Sequence, residues 1–308
     1  MKGLVLKSTG KWYDVEDEAG SLFQCQVRGK IRLEGRSTTN PVAAGDIVDF
    51  EIENDHEGNI INIHQRKNYI IRKSVNLSKE AQIIASNLDL ALLFVTITRP
   101  QTTTGFIDRF LVTADAYDIP VTLVFHKIDQ YDSEELEEVN ALSGVYEKIG
   151  YNCINTSLLS KEGLDALNRL ITGKITLVSG HSATGKSSFI NYMIPGKELR
   201  TGEVSESSNK GQHTTTFAEM HKLPGGGYLV DTPGIKGFGL IDIPKDELHH
   251  HFKEFFRLLP ACKYHNCLHL NEPGCAVRKA LDAGEISDSR YNSYVSMYND
   301  EEERSIYR

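Results

Sequence analysis

Residues 180 to 187 read Gly180-His181-Ser182-Ala183-Thr184-Gly185-Lys186-Ser187, a full match to the pattern G-x-x-x-x-G-K-[ST]. Glycines let backbone N–H groups curl around phosphate oxygens, and a helix N-terminus behind them adds partial positive charge. In such a loop Lys186 reaches the β- and γ-phosphates, Ser187 offers its hydroxyl to Mg²⁺, and Ser188 continues the first turn. A second phosphate-side element is Asp231-Thr232-Pro233-Gly234, after the apolar run Tyr228-Leu229-Val230. By itself it is a turn signal; beside a phosphate loop, Asp231 can serve the Mg²⁺ shell and the Gly234 N–H can meet the γ-phosphate. Between the two lies Gly211-Gln212-His213-Thr214-Thr215-Thr216, a polar stretch in which one threonine, Thr215 being our choice, could close over Mg²⁺.

A base-reading element occurs earlier in the chain. Guanine sites carry Asn-Lys-x-Asp at a strand end, where the carboxylate accepts hydrogen bonds from the base. Here the place is taken by His126-Lys127-Ile128-Asp129. Asp129 and Lys127 keep the two roles that matter most, reading the base edge and laying an aliphatic stem along the ring. The asparagine is replaced by His126, which leaves room for weaker guanine selectivity. Downstream, Asn155-Thr156-Ser157-Leu158 is a loose match to the element that brings backbone groups to the base.

A third constellation is Cys262-x4-Cys267-x-His269-x5-Cys275, three thiolates and an imidazole within 14 residues. That donor set suits a closed, tetrahedral, structural Zn²⁺ site. His265 lies inside the first spacer as a rival nitrogen donor. The run His249-His250-His251 is expected on a solvated helix face.

The elements that must position these groups follow from periodicity. Up to about residue 68, short β-rich runs (Gly3 to Ser8, Leu22 to Val27, Ile47 to Ile52, Ile60 to His64) alternate with turn signals, as in a small antiparallel barrel of the OB type. From about residue 86 the rhythm becomes strand, helix, strand: Leu88 to Thr96, Gly105 to Tyr117, Val121 to Phe125. A helix over 134 to 149 with Ser133 as N-cap, a strand Tyr151 to Asn155, a helix Leu164 to Ile171 and a strand Lys174 to Ser179 continue it. The sheet should be mostly parallel. Residues 245 to 259 are expected to form one amphipathic helix, and helices to follow as far as the acidic tail Asp300 to Glu303.

Composition bounds the rest. The chain has 308 residues, a quarter of them charged, and a formal net charge of −8. That charge argues against a wholly basic nucleic-acid-binding surface, so any RNA contact must be local. The densest candidate is Arg28 to Arg36, joined later by Arg66, Lys67, Arg72 and Lys73. No apolar stretch is long enough to span a membrane, no leader pattern is evident, and the cytoplasm is the expected location. Crowding of three of the five cysteines near one end favours a metal over disulfides.

The order of motifs is rotated. In an ordinary P-loop GTPase the phosphate loop comes first and the base motif last; here the base motif precedes the phosphate loop, which precedes the Asp-Thr-Pro-Gly turn. With this order, Gly211-x-His213-Thr214-Thr215 and a cysteine cluster ending Cys275-Ala276-Val277, the chain resembles the circularly permuted RsgA (YjeQ) family over essentially its whole length. The resemblance implies an α/β P-loop GTPase domain, circularly permuted, with an N-terminal OB-fold β-barrel and a C-terminal α-helical zinc-binding domain, divided at 1–68, 69–240 and 241–308. It implies a monomeric factor in late maturation of the 30S ribosomal subunit, bound to 16S rRNA, using GTP/GDP, Mg²⁺ and one Zn²⁺, with hydrolysis stimulated by the small subunit. It favours His269 over His265 as the nitrogen ligand. Ile235 and Lys236 stand where a water-positioning glutamine could follow, and the resemblance implies that His213 takes that task beside Lys186 and Thr215. Because the core ends soon after the switch strand, γ-phosphate binding is expected to reposition the zinc module. Ala183 departs from the family's glycine and would be strained at positive φ. Two other readings are an ATPase or kinase acting on a small substrate, separated by competition of GTP with ATP, and a non-catalytic RNA-binding adaptor, separated by turnover with and without ribosomal subunits.

Overall fold

The computed structural model describes residues 1–28, 41–73, 81–199, 218–231 and 243–299. Strands β1 (Lys2–Ser8), β2 (Tyr13–Asp17), β3 (Leu22–Val27), β4 (Ile47–Asn54) and β5 (Glu57–Ile63) pair in the order 1-2-3-5-4. β4 then pairs with β1 and closes the barrel, and β3 runs parallel to β5 while the other pairings are antiparallel. Alternation puts Val5, Tyr13, Val15, Phe23, Cys25, Val48, Phe50 and Ile60 inside. Within the barrel, β2 is the strand that sequence reading passed over; its Tyr-Asp-Val-Glu-Asp composition is too acidic to stand out.

A short hairpin, β6 (Tyr69–Lys73) with β7 (Ala81–Ser86), leads out of the barrel. Its junction rests on Asp46, which is fully buried. That carboxylate accepts two 2.6 Å bonds from the Arg66 guanidinium, a 2.6 Å bond from the Ser86 hydroxyl and a 2.8 Å bond from the Ala43 N–H. Gly45, at φ +93°, lies so close to Ser86 that an added Cβ would come within 2.1 Å of its carbonyl oxygen. Arg66, expected among the RNA-facing cations, is therefore committed to the interior. Lys67 pairs with Asp89. Residues 29–36 of the basic run lie outside the described residues.

The main sheet contains β8 (Leu90–Val95), β9 (Val121–His126), β10 (Asn152–Thr156), β11 (Ile175–Gly180), β12 (Glu219–Lys222) and β13 (Tyr228–Asp231), in the order 10-9-8-11-13-12. All neighbours are parallel except β12, which is antiparallel to β13. β8 is buried throughout, and its residues alternate between two cores. Ala91, Leu93 and Val95 meet helices α1 (Thr104–Ala116) and α2 (Ser133–Ile149) on one face. Leu90, Leu92 and Phe94 meet α3 (Leu164–Ile171) and α4 (Lys186–Met193) on the other. The N-cap of α2 is Asp132, not Ser133; its carboxylate accepts from the Glu135 N–H and the Glu135 side chain returns the bond, a capping box.

The single helix expected over 245 to 259 is broken. A 3₁₀ turn, Leu248–His251, is followed by α5 (Lys253–Leu258) and a second 3₁₀ turn, Leu259–Ala261, that contains Pro260. The break turns His249 inward, where it is buried and not on a solvated face. After the cysteine cluster come α6 (Ala276–Asp282) and α7 (Asp288–Asn299); the acidic tail lies outside the described residues.

α7 is held to the sheet domain by a buried ion pair. Arg290 donates to Asp108 of α1 at 2.7 Å and to Glu254 of α5 at 2.7 and 3.1 Å, with both Arg290 and Asp108 fully buried. Tyr146 of α2 donates to the same Asp108 oxygen at 2.8 Å, and the guanidinium lies 4.5 Å from the Phe252 ring centre. Burial pushes the Asp108 carboxyl up, and the Arg290 charge opposes that. Removing one partner of such a pair strands the other charge. Arg290→Ala is therefore expected to lower unfolding stability by about 3–5 kcal/mol, whereas Lys7→Ala, at the half-exposed Lys7–Glu219 pair, should cost under ~1 kcal/mol; urea titrations of both variants check this.

Candidate functional site

β11 carries the chain into the phosphate loop and stops at Gly180, whose φ of +139° and 2.6 Å Cβ clearance from the Phe94 carbonyl exclude a side chain. α4 starts at Lys186 behind Gly185 (φ +99°), so the unpaired N–H groups of its first turn, including those of Ser187 and Ser188, face the loop mouth. Lys186 Nζ donates to the carbonyls of Gly180, at 2.8 Å, and His181. Its ammonium thus spans the loop that a triphosphate would enter. Burial makes Lys186 easier to deprotonate and the Asp231 charge counters this. Thr184 is buried and its hydroxyl donates to the His181 carbonyl at 2.9 Å, bracing the turn; Ser182 and Ala183 are exposed at the tip. Ala183 adopts φ +63°, the strained alternative. The His181 ring stacks on Phe106 of α1, centroids 3.9 Å apart.

The rotated base motif meets this loop. Lys127, at the end of β9 and in left-handed conformation (φ 65°), sends its Nζ to the Ala183 carbonyl at 2.8 Å and to the Arg99 carbonyl at 3.1 Å. Asp129 follows in a 3₁₀ turn with Ile128 and is exposed to solvent. His126 is buried against the loop: a Cβ on Gly185 would lie 2.5 Å from its Cδ2. His126 Nδ1 sits 2.8 Å from the Thr156 hydroxyl at the end of β10, and Ser157 accepts N–H bonds from Leu159 and Ser160, closing the adjacent turn. Burial, with help from Lys127, pushes the His126 pKa down to about 4, so its imidazole is neutral around pH 7. Sequence reading passed over Arg99, in the Thr- and Pro-rich segment between β8 and α1 that shows only a turn, and Phe106, in the first turn of α1.

On the Mg²⁺ side, Asp231 ends β13, and its Cα partner on β11 is Val178, two residues before Gly180. The structure thus brings together the phosphate loop, the base motif and Asp231. His213, Thr215 and Gly234 lie outside the described residues.

In the C-terminal segment the ligand atoms of Cys262, Cys267, His269 and Cys275 lie within 4.8 Å of one another, while His265 is exposed. His269 Nδ1 points at the thiols, 3.7 Å from Cys262 Sγ and 3.4 Å from Cys275 Sγ. Backbone N–H groups of Ala276 and Arg278 donate to the Cys262 and Cys275 sulfurs at 3.3 and 3.4 Å, as ligating thiolates require. Burial, with the neighbouring Cys275 and Cys262 sulfurs adding to it, pushes the Cys267 thiol up to about 12. A soft divalent cation among the four would favour the thiolates, and the donor set fits Zn²⁺. The buried His249 ring lies 5.0 Å from that of His269.

Two substitutions probe the loop geometry. Ala183→Gly should relieve left-handed strain and raise stability by about 0.5–1 kcal/mol, read as an upward shift of the thermal midpoint. Gly185→Ala should abolish nucleotide binding in a fluorescent-nucleotide titration, because its Cβ would collide with the His126 ring.

Comparison with known proteins agrees with this arrangement. The model for the RsgA N-terminal domain matches residues 2–60 and that for the RsgA GTPase matches residues 63–241. A protein of Bacteroides fragilis named small ribosomal subunit biogenesis GTPase RsgA is 51% identical over 303 residues, 98% of each chain. A protein of the same name from Flavobacterium johnsoniae is 50% identical over 306 residues, 98% of this chain and 94% of that one. Among solved structures, YjeQ from Thermotoga maritima superposes with a TM-score of 0.79 at 34% identity, covering 96% of both chains. YloQ, described as a circularly permuted GTPase, gives 0.74 at 28% identity, covering 98% of this chain and 95% of that one. A phosphate loop reached after its base motif, in a sheet docked on a closed barrel and followed by a Cys₃His cluster, places the chain in the RsgA family of circularly permuted GTPases.

Proposed function

We propose that the protein hydrolyses GTP while bound to the small ribosomal subunit and so assists its late maturation, with stimulation by the 30S particle. The observation that carries the reading is the Lys127 to Ala183 hydrogen bond, which joins the base motif and the phosphate loop in one cleft. The name shared by relatives at about half identity over the full chain supports the ribosomal part. Functionally we divide the chain into a barrel, 1–68, and a zinc-bearing segment, 241–308, both turned towards 16S rRNA, around a GTPase domain, 69–240. It acts as a monomer in the cytoplasm. Among the described residues no helix is long and apolar enough to cross a membrane.

In this reading Asp129 accepts from the guanine edge and Lys127 lies along the ring. Residues Gly180 to Ser188 surround the phosphates, with the Lys186 ammonium exchanging its two carbonyl partners for β- and γ-phosphate oxygens. Ser187 and Asp231 would hold Mg²⁺, joined by Thr215, and the ion supplies neutralisation of charge on the β- and γ-oxygens. Gly234 donates its N–H to the γ-phosphate. His213 orients a water molecule whose oxygen bonds to the γ-phosphorus as the bond to the β,γ-bridging oxygen breaks, giving GDP and inorganic phosphate. Cys262, Cys267, His269 and Cys275 would hold one Zn²⁺, whose role is to fix the fold of a segment with little core of its own. Because Arg290 ties α7 to α1, the zinc-bearing segment follows movement of α1; a free swing of that segment on γ-phosphate binding would have to break a buried ion pair.

Turnover measured with 30S, 50S and 70S particles should rise with 30S alone, and Lys186→Ala should lose roughly a hundredfold or more of the stimulated rate. Equal rates with and without 30S, or ATP cleaved as readily as GTP, would overturn the reading. Cys275→Ser should release the metal and lower the thermal midpoint, checked by metal analysis of the purified protein alongside its melting curve.

A further inference from the structure

His126 occupies the one position at which the base motif departs from the asparagine usual at guanine sites. It is 2% exposed, so its ring has no face to offer a nucleotide. Three elements hold it instead. The Thr156 hydroxyl at the end of β10 donates to the Phe125 carbonyl at 3.3 Å, so its oxygen accepts the Nδ1–H of His126 at 2.8 Å. This places the ring proton on Nδ1 and leaves Nε2 an acceptor. The opposite edge of the ring abuts Gly185: a Cβ built there would stand 2.5 Å from Cδ2 and 2.8 Å from Nε2. The Phe94 ring at the end of β8 packs edge-on at 5.3 Å, and the His126 carbonyl accepts from the Tyr131 hydroxyl at 3.0 Å.

We propose that His126 is a positioning residue, a wedge that fixes the base motif of β9 against the phosphate loop at Gly185 and so sets nucleotide affinity without taking part in the choice of guanine. The inference rests on the reading of this cleft as a guanine-nucleotide site. Its physical content is geometric. Asp129 and the backbone N–H groups after Gly185 must meet opposite ends of one ligand, and a wedge that holds their separation before binding lowers the ordering cost that the ligand would otherwise meet. The choice of base stays with Asp129, three residues on and exposed to solvent.

Stereochemistry supplies the discriminating variant. The two atoms bonded to Cγ of asparagine occupy the positions of Nδ1 and Cδ2 of histidine, so His126→Asn retains both the Thr156 bond and the contact with Gly185. His126→Gln carries its polar atoms one bond too far, His126→Leu has the branching without the polarity, and His126→Ala has neither.

The test is titration of fluorescent GDP and ADP into the full-length wild type, these four variants and Asp129→Asn, with thermal midpoints measured in parallel. The expected result is that His126→Ala and His126→Leu weaken GDP about tenfold or more, with the GDP-to-ADP preference unchanged, that His126→Asn stays within about threefold of wild type, and that Asp129→Asn collapses the preference. Should the alanine and leucine variants fail to fold, the comparison of glutamine with asparagine decides, glutamine being the weaker. GDP affinity equal to wild type in a folded alanine, leucine or glutamine variant, or a preference that moves with affinity, overturns the proposal. A wild type that binds no guanine nucleotide overturns this inference and the proposed function together; a wild type that binds, with variants indistinguishable from it, overturns this inference alone.

Discussion

A single nucleotide has to be gripped at both ends at once, and in this chain the grip depends on strand order in a parallel sheet. β9, β8, β11 and β13 lie side by side with their C-terminal ends on one edge, so the loops that leave them open into one crevice. The base motif leaves β9, Arg99 and Phe106 follow β8, the phosphate loop leaves β11, and Asp231 ends β13. Strand neighbours in space do not have to follow the order of the chain. That freedom is why a rotated sequence can build the same cleft, and why the Lys127 to Ala183 bond joins residues 56 positions apart.

The buried Arg290 cluster sets what the C-terminal segment can do. Its charges come from α1, α5 and α7, with the Tyr146 hydroxyl of α2 added, so two helices of the sheet domain and two of the zinc-bearing segment share one polar core. A guanidinium there satisfies several acceptors in a fixed plane, which an apolar contact could not do with the same directionality. The segment is thereby oriented relative to α1, and α1 begins next to the Phe106–His181 stack at the phosphate loop. α1 therefore meets the phosphate loop through Phe106 and, through Asp108 and Val112, the core that contains Cys267 and Cys275.

Much of this was legible in the sequence because the relevant signals are local. The phosphate loop, α3 and the Cys₃His spacing depend on residues close together in the chain, and the structure brings the predicted ligand atoms of Cys262, Cys267, His269 and Cys275 into one cluster. The strand-helix alternation from Leu90 to Gly180 was readable from buried runs. What was not legible depends on distant partners. Arg66 reads as a surface cation until Asp46 is seen beneath it. His249 reads as one of three solvated histidines until the chain breaks before α5 and turns it inward. The positive φ of Ala183 could be posed as a question but not answered, since backbone conformation in a loop is set by what the loop wraps. β12 and the β6–β7 hairpin escape such a reading because strands of four, five and six residues with mixed composition show little period.

The seam between barrel and sheet has a consequence for how this chain behaves when cut. β12 would be a sheet edge with free backbone donors and acceptors, but β1 of the barrel lies beside it, pairing Lys7 with Glu219, while buried Glu16 of β2 receives Lys222 and the Tyr228 hydroxyl. Covered in this way, the strand is closed to edge-to-edge association with other molecules. The barrel thus doubles as a solubility device for the catalytic sheet, and a fragment that begins after it would carry into solution a sticky strand, together with Lys222 and Tyr228 side chains that have lost their shared Glu16 acceptor.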